Sequence, residues 1–263
     1  MIRIWNKLIN KIRKILINKQ YEKKENEKMI FIQRKLPFRE TNNEYIITYN
    51  NKEIHLRKLG SDNLVFHQVI YSDEYAVVKS ILKLNNIIVK NILDCGANIG
   101  LTTIEMSICF PNANIVSIEP DKLNFKQLCL NTKEYENVYC EECAIWYEER
   151  TLYLDESFRD NLEWSRRTIE KSKTGAEVKG TTIEQILNKY NIDVIDLLKI
   201  DIEGAEKYLF DKVEYLSFLE NTRVIAIEIH DEFKVREKIY RYLQSFGFML
   251  FNSNELTIGV KLK

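Results

Sequence analysis

From Asn91 onward, short apolar runs alternate with stretches whose apolar positions repeat every three to four residues. The runs predict strands at Ile92–Asp94, Ala113–Ile118, Asn137–Ile145, Arg150–Leu154, Val194–Ile202 and Arg223–Ile229. The intervening periodicity predicts helices at Leu101–Phe110, stopped by Pro111-Asn112, and at Lys122–Thr132, capped by Asp121. A capped helix follows Thr182, and another runs over Phe233–Phe246 and ends at Gly247. Phe248–Asn252 and Leu256–Leu262 read as strands joined by an Asn252–Glu255 turn. Such alternation predicts an α/β, doubly wound, mostly parallel sheet with its crevice at the strands' carboxyl ends.

Before this core the pattern changes. Ile2, Trp5, Ile9, Ile12 and Leu16 form a helical stripe among Arg3, Lys7, Lys11, Arg13, Lys14 and Lys19. This basic amphipathic helix suits an anionic membrane surface, a second copy or partner, or its own domain. Lys19–Lys28 reads as a charged linker, and the stretch from Phe31 to Arg57 as a hairpin turning at Asn50-Asn51. Ser61 or Asp62 is expected to cap a helix, and Glu74 and Tyr75 to border the crevice. Three segments result: 1–28, helix and linker; 29–90, a β/helical cap; and 91–263, the core.

The 263 residues carry 39 basic and 39 acidic side chains, so global charge gives no argument for nucleic acid. Residues 1–20 hold six of the basic groups and no acid, which leaves an acidic body. Five cysteines and no signal peptide predict reduced thiols in a cytoplasmic chain, possible contact at the inner membrane face aside. Cys140 and Cys143 have ligand spacing but lack a second pair to complete a zinc site. No apolar run reaches the roughly 18 residues a membrane span needs.

The candidate chemistry gathers at the strand ends. Asp94-Cys95-Gly96-Ala97-Asn98-Ile99-Gly100 joins a strand to a helix, holding two of only eight glycines in five positions. The spacing lacks the G-x-G of a dinucleotide loop, and Asp94 suits a cationic amine better than a diphosphate. Glu119 ends the next strand, where a carboxylate can accept both hydroxyls of a ribose. These features describe S-adenosylmethionine better than NAD. With Ile118-Glu119-Pro120 and Leu198-Lys199-Ile200-Asp201-Ile202-Glu203-Gly204-Ala205-Glu206, the chain resembles the FkbM family of S-adenosylmethionine-dependent methyltransferases.

The resemblance implies a Rossmann-like class I fold: a seven-stranded sheet closed by an antiparallel hairpin, with a small β element and helices ahead of it. It implies cofactor contacts at Asp94, Gly96, Ala97, Asn98, Gly100, Glu119, Ala144 and Glu203, the adenine edge lying at Cys143-Ala144. Its activity would be O-methylation of a sugar hydroxyl in a glycan or glycolipid precursor. The competing readings are an NAD(P)-binding oxidoreductase and a non-catalytic partner protein of the same fold.

Asp201, Glu203, Glu228 and His230 are expected to converge on the methyl donor, since two neighbouring strands end there. A hydroxyl nucleophile needs a base, for which His230 or Asp201 is the candidate, with Glu228 orienting it. Alternatively Asp201, Glu228 and His230 hold a divalent cation. Glu206 reads as a helix cap. The polar stretch Asp155–Gly175 is a candidate acceptor lid, with Trp164 stacking on a ring or covering the core edge and Tyr75 as a second substrate contact.

Overall fold

The computed structural model describes residues 27–58, 60–155, 167–170 and 175–261. The basic stripe of residues 1–20 and Trp164 lie outside them. The chain divides into two compact units, Met1–His67 and Gln68–Lys263.

In the first unit residues 27–33 are helical, so the hairpin begins later than the sequence suggested. Strands β1 (Phe38–Glu40), β2 (Glu44–Tyr49) and β3 (Lys52–Arg57) form an antiparallel sheet in that order. Asn50 and Asn51 make the β2–β3 turn with φ of 48° and 63°, the left-handed pair that a two-residue hairpin requires. Ser61 makes no capping bond with its side chain. Asp62 instead accepts from the Arg57 backbone and guanidinium.

In the second unit, helix α1 (Ala76–Leu84) leads to β4 (Asn91–Cys95), α2 (Leu101–Cys109), β5 (Asn114–Ile118), α3 (Lys122–Thr132) and β6 (Val138–Glu141). After β7 (Ala144–Ile145), β8 (Arg150–Asp155), β9 (Arg167–Ile169) and β10 (Glu177–Thr181) come α4 (Ile183–Tyr190) and β11 (Ile195–Ile200). β12 (Thr222–Glu228), α5 (Arg236–Ser245), β13 (Met249–Ser253) and β14 (Leu256–Val260) close the chain. The seven-stranded sheet has the order β13-β14-β12-β11-β4-β5-β6, and only β14 runs against its neighbours.

Local chemistry explains the boundaries. Asp121 Oδ1 accepts from the amides of Leu123 and Asn124, and so starts α3. Thr182 and Gln185 form a reciprocal capping box on α4. β11 is buried along its whole length because β4 and β12 flank it and helices cover its faces. Its Asp196 is matched by the amides of Lys90 and Asn91 and by the Arg223 guanidinium. The run Asn137–Ile145 is not one strand. β6 pairs with β5, whereas β7 joins a second sheet of order β7-β10-β8-β9. Among the described residues, no helix is long and apolar enough to cross a membrane.

Candidate functional site

The turn after β4 is packed against the turn after β11. Gly96 has φ +86°, and a Cβ there would sit 1.7 Å from the Asp201 carbonyl oxygen, so only glycine fits. The amides of Gly96 and Ala97 both donate to Ile118 O at 2.9 Å. Asn98 and Gly100 also take left-handed conformations, and Gly100 begins α2. The loop therefore rests on β5 while the α2 amino terminus faces the strand ends.

Glu119 completes this cradle. Its Oε2 accepts from the Asn98 amide and its Oε1 from the Asp121 amide, each at 2.8 Å. Each oxygen keeps a lone pair for a second donor, which is what a ribose diol offers. Burial pushes the Glu119 carboxyl up to about 8, although the amide bonds from Asp121 and Asn98 work the other way. Glu119, Gly96, Asn98, Ala144, Asp201 and Glu203 line one cleft of about 50 Å³, with Ile118, Ile145 and Ile202 supplying apolar walls. Thr168 of β9 lines it too.

Asp94, Ala97 and Gly100 are not on that wall. Asp94 is 1% exposed; its Oδ2 accepts from Thr103 Oγ1 at 2.7 Å, and its Oδ1 lies 3.3 Å from Lys199 Nζ. Lys199, also buried, donates to Gly96 O at 2.6 Å and stands 3.7 Å from Asp201 Oδ2. Burial opposes its charge, yet Asp94 and Asp201 outweigh that and hold the ammonium charged well above the ordinary range. One lysine thus ties the glycine turn to the acids of both adjoining strands.

Beyond the cleft the strand ends are crowded with carboxylates. Glu203 occupies a left-handed position (φ 52°) in the Asp201–Gly204 turn, and its Oε2 lies 3.4 Å from His230 Nε2. Glu228 Oε1 is 3.6 Å from the same nitrogen. Nδ1 instead donates to Glu206 Oε1 at 3.1 Å, an oxygen that also accepts from the Ile202 amide. Glu206 is fully buried beneath the turn, so it holds His230 rather than serving merely as a helix cap. Burial alone would lower the His230 pKa, but Glu203 and Glu206 push it up to about 11, so the ring is an imidazolium at neutral pH. Burial, then the Asp201 charge, raises Glu228 to about 9. Glu74 is raised by burial as well; Gln68 Nε2 bridges it to Glu255.

Asp201, Glu203 and His230 each offer a ligand atom within 4.8 Å of the others, a spacing that a single cation can span. Asp201 Oδ1 and His230 Nε2 have no hydrogen-bond partner among the described residues. Tyr75 is buried at the start of α1, with its hydroxyl raised by burial in the field of Lys199, Glu74 and Asp201. Lys199 and Glu206 are the functional side chains that sequence reasoning left out. Their signal was there: both stand in the Leu198–Glu206 block on which the family resemblance rests.

A family model for the methyltransferase FkbM domain matches residues 94–250. Methyltransferase sdnD of Sordaria araneosa is 27% identical over 191 residues, covering 60% of this chain and 73% of that protein. Among solved structures, a putative caffeoyl-CoA O-methyltransferase from Staphylococcus aureus aligns at 14% identity and a TM-score of 0.44, covering 76% of this chain and 91% of that one. Precorrin-6y C5,15-methyltransferase from Geobacter metallireducens aligns at 14% identity and a TM-score of 0.41, covering 71% and 88%.

Proposed function

The chain belongs to the methyltransferase FkbM family and is an S-adenosylmethionine-dependent methyltransferase, and from that premise we propose that it methylates a sugar hydroxyl of a glycan or glycolipid precursor. S-adenosylmethionine, when bound, supplies an electrophilic methyl group on a sulfonium. The cleft residues fit that group: Glu119 keeps an open lone pair on each oxygen, and Ile118, Ile145 and Ile202 give apolar walls for a base. In this reading Glu119 would grip the ribose, Ala144 and Ile145 would border the base, and Gly96 and Asn98 would carry the remainder.

The observation that carries the reaction type is Asp201 Oδ1. It is buried at the end of the cleft, without a hydrogen-bond partner among the described residues, beside a lysine that keeps the carboxylate in place. An alcohol is a weak nucleophile at neutral pH, so its proton must leave as attack proceeds. Asp201 takes that proton. His230 does not: its Nδ1 is committed to Glu206, and its ring is already protonated at neutral pH. Its positive charge balances Glu203 and Glu206 instead. Asp201→Asn is expected to lower kcat about 100-fold or more while the dissociation constant for S-adenosylmethionine stays within a factor of about three. Methyl transfer from labelled donor to glycan extracts, read by mass spectrometry, tests the acceptor; label found only in non-sugar products overturns the sugar assignment.

The short spacing of Asp201, Glu203 and His230 favours a second reading, in which His230 would give up its Nε2 proton and these residues would hold a divalent cation that polarises the acceptor hydroxyl. Glu203 takes the place that the sequence pattern gave to Glu228. Calorimetric titration of the metal-stripped protein with Mg²⁺ and Mn²⁺ decides it; no binding heat, and activity untouched by chelator, eliminates the cation.

A further inference from the structure

Lys207 follows Glu206 in the short helix Glu206–Leu209, and its ammonium is held between two rings. It lies 4.4 Å from the Phe233 centroid and 4.6 Å from that of Tyr208. All three side chains are half-buried. The rings are fixed from behind. Phe233 packs on Gly204, where a Cβ would come within 2.1 Å of its Cε2, and Tyr208 packs tilted against the buried Trp146, ring centroids 4.5 Å apart. Trp146 itself follows Ala144 and Ile145 of the cofactor cleft, and Gly204 follows Glu203 of the acid cluster. The clamp is thus braced on Gly204 and Trp146, each next in sequence to a residue that lines the cleft.

Among the described residues, Lys207 makes no ion pair. Other lysines around the strand ends do: Lys199 with Asp94 and Asp201, Lys79 with Glu105, Lys212 with Glu214. Ring faces attract the ammonium through their quadrupoles but use none of its three N–H donors in a directed hydrogen bond to oxygen. Asp201, Glu203 and Glu255 all act electrostatically on Glu228, an acidic surround that disfavours an anionic acceptor unless a cation stands nearby. We propose that Lys207, braced by Phe233 and Tyr208, is an acceptor subsite that binds an anionic oxygen group, phosphate or carboxylate, carried by the sugar that is methylated.

This rests on the sugar-methylation reading and adds the substrate's charge to it. The probes are glucose, glucose 1-phosphate and glucuronate, titrated by ligand-observed NMR into the full chain loaded with S-adenosylhomocysteine. The two anionic sugars are expected to bind about tenfold or more tightly than glucose, the range of one charge-assisted hydrogen bond. Phosphate favoured over carboxylate, or the reverse, identifies the group. Lys207→Met should remove the preference, Lys207→Arg should keep most of it, and Lys212→Met should leave it unchanged. Equal binding of charged and neutral sugars, a preference that survives in Lys207→Met, or no binding of any probe overturns the subsite. A sugar product from the extract assay without charge preference sinks the subsite alone. A Lys207-dependent preference with label only in non-sugar products sinks the methylation reading.

Discussion

Replacing Lys199 by Met tests whether the two halves of the site are joined as described. The substitution keeps the apolar stem and removes one buried charge that faces Asp94 at 3.3 Å, Asp201 at 3.7 Å and Gly96 O at 2.6 Å. At an effective dielectric of about 20, each ion pair has a gross attraction of about 4–5 kcal/mol. Desolvation of the partners offsets most of it, and Asp201, partly exposed, keeps some solvation. What is measured is the penalty of stranding Asp94, buried with only Thr103 as hydrogen-bond partner, about 3–5 kcal/mol. For a domain of this size that is roughly 6–20 °C in Tm. Urea and thermal unfolding of the purified protein give both numbers. Asp94→Asn in the Lys199→Met background should return at least about 1 kcal/mol, because the stranded charge is gone. A loss under about 1 kcal/mol, or strictly additive effects in the double variant, would refute the claim that this lysine holds the two strand ends together.

Affinity for S-adenosylmethionine should depend on the ionisation of Glu119, which must be a carboxylate to accept two hydroxyls. With its carboxyl pushed up to about 8 in the free protein, affinity rises with pH from 6.5 to 8.5 by up to ~25-fold and then levels. Calorimetry at several pH values checks this; Glu119→Gln should weaken binding and flatten the curve, and a flat wild-type curve contradicts the assignment. Gly96→Ala should lose at least about 30-fold in cofactor affinity, since a left-handed alanine costs about 1–2 kcal/mol before the clash with Asp201 O is counted; equilibrium dialysis suffices. Thr103→Val strips Asp94 Oδ2 and Ser117 Oγ of their shared partner and should cost about 1–3 kcal/mol in urea unfolding, with cofactor affinity lowered through the loop.

Much of the scaffold was legible because its signals are local. Asp121 caps the helix it was expected to cap, Thr182 and Gln185 form their box, and Asn50-Asn51 turns the hairpin. Apolar runs marked β4, β5, β11 and β12 because strands buried on both faces leave no polar alternation. The misreadings are non-local. Nothing within Asn137–Ile145 says that Ala144 and Ile145 pair with Gly180 and Thr181 instead of extending β6. Residues 233–235 looked helical, yet a 3-10 turn over Asp231–Phe233 and Lys234 at φ 54° delay α5 to Arg236. At the site, the strand-end places of Glu119 and Gly96 were legible locally, whereas the contact of Asp94 with Lys199, 105 residues away in sequence and next to it in the sheet, was not.

That pairing bears on how binding and chemistry are divided. Asp94 and Lys199 are register partners on adjacent strands, so the ammonium reaches the Gly96 carbonyl on one side and Asp201 on the other. Gly96 in turn touches the Asp201 carbonyl so closely that neither turn can shift alone. A displacement of the cofactor loop is therefore also a displacement of the proposed base. Variants that only remove a ligand contact, such as Glu119→Gln, should change affinity with little effect on kcat at saturating cofactor. Variants that disturb the seam, such as Lys199→Met or Gly96→Ala, should lower both. If Gly96→Ala raised the dissociation constant and left kcat intact, the two turns would be moving independently, and Asp201 would owe its position to something other than this contact.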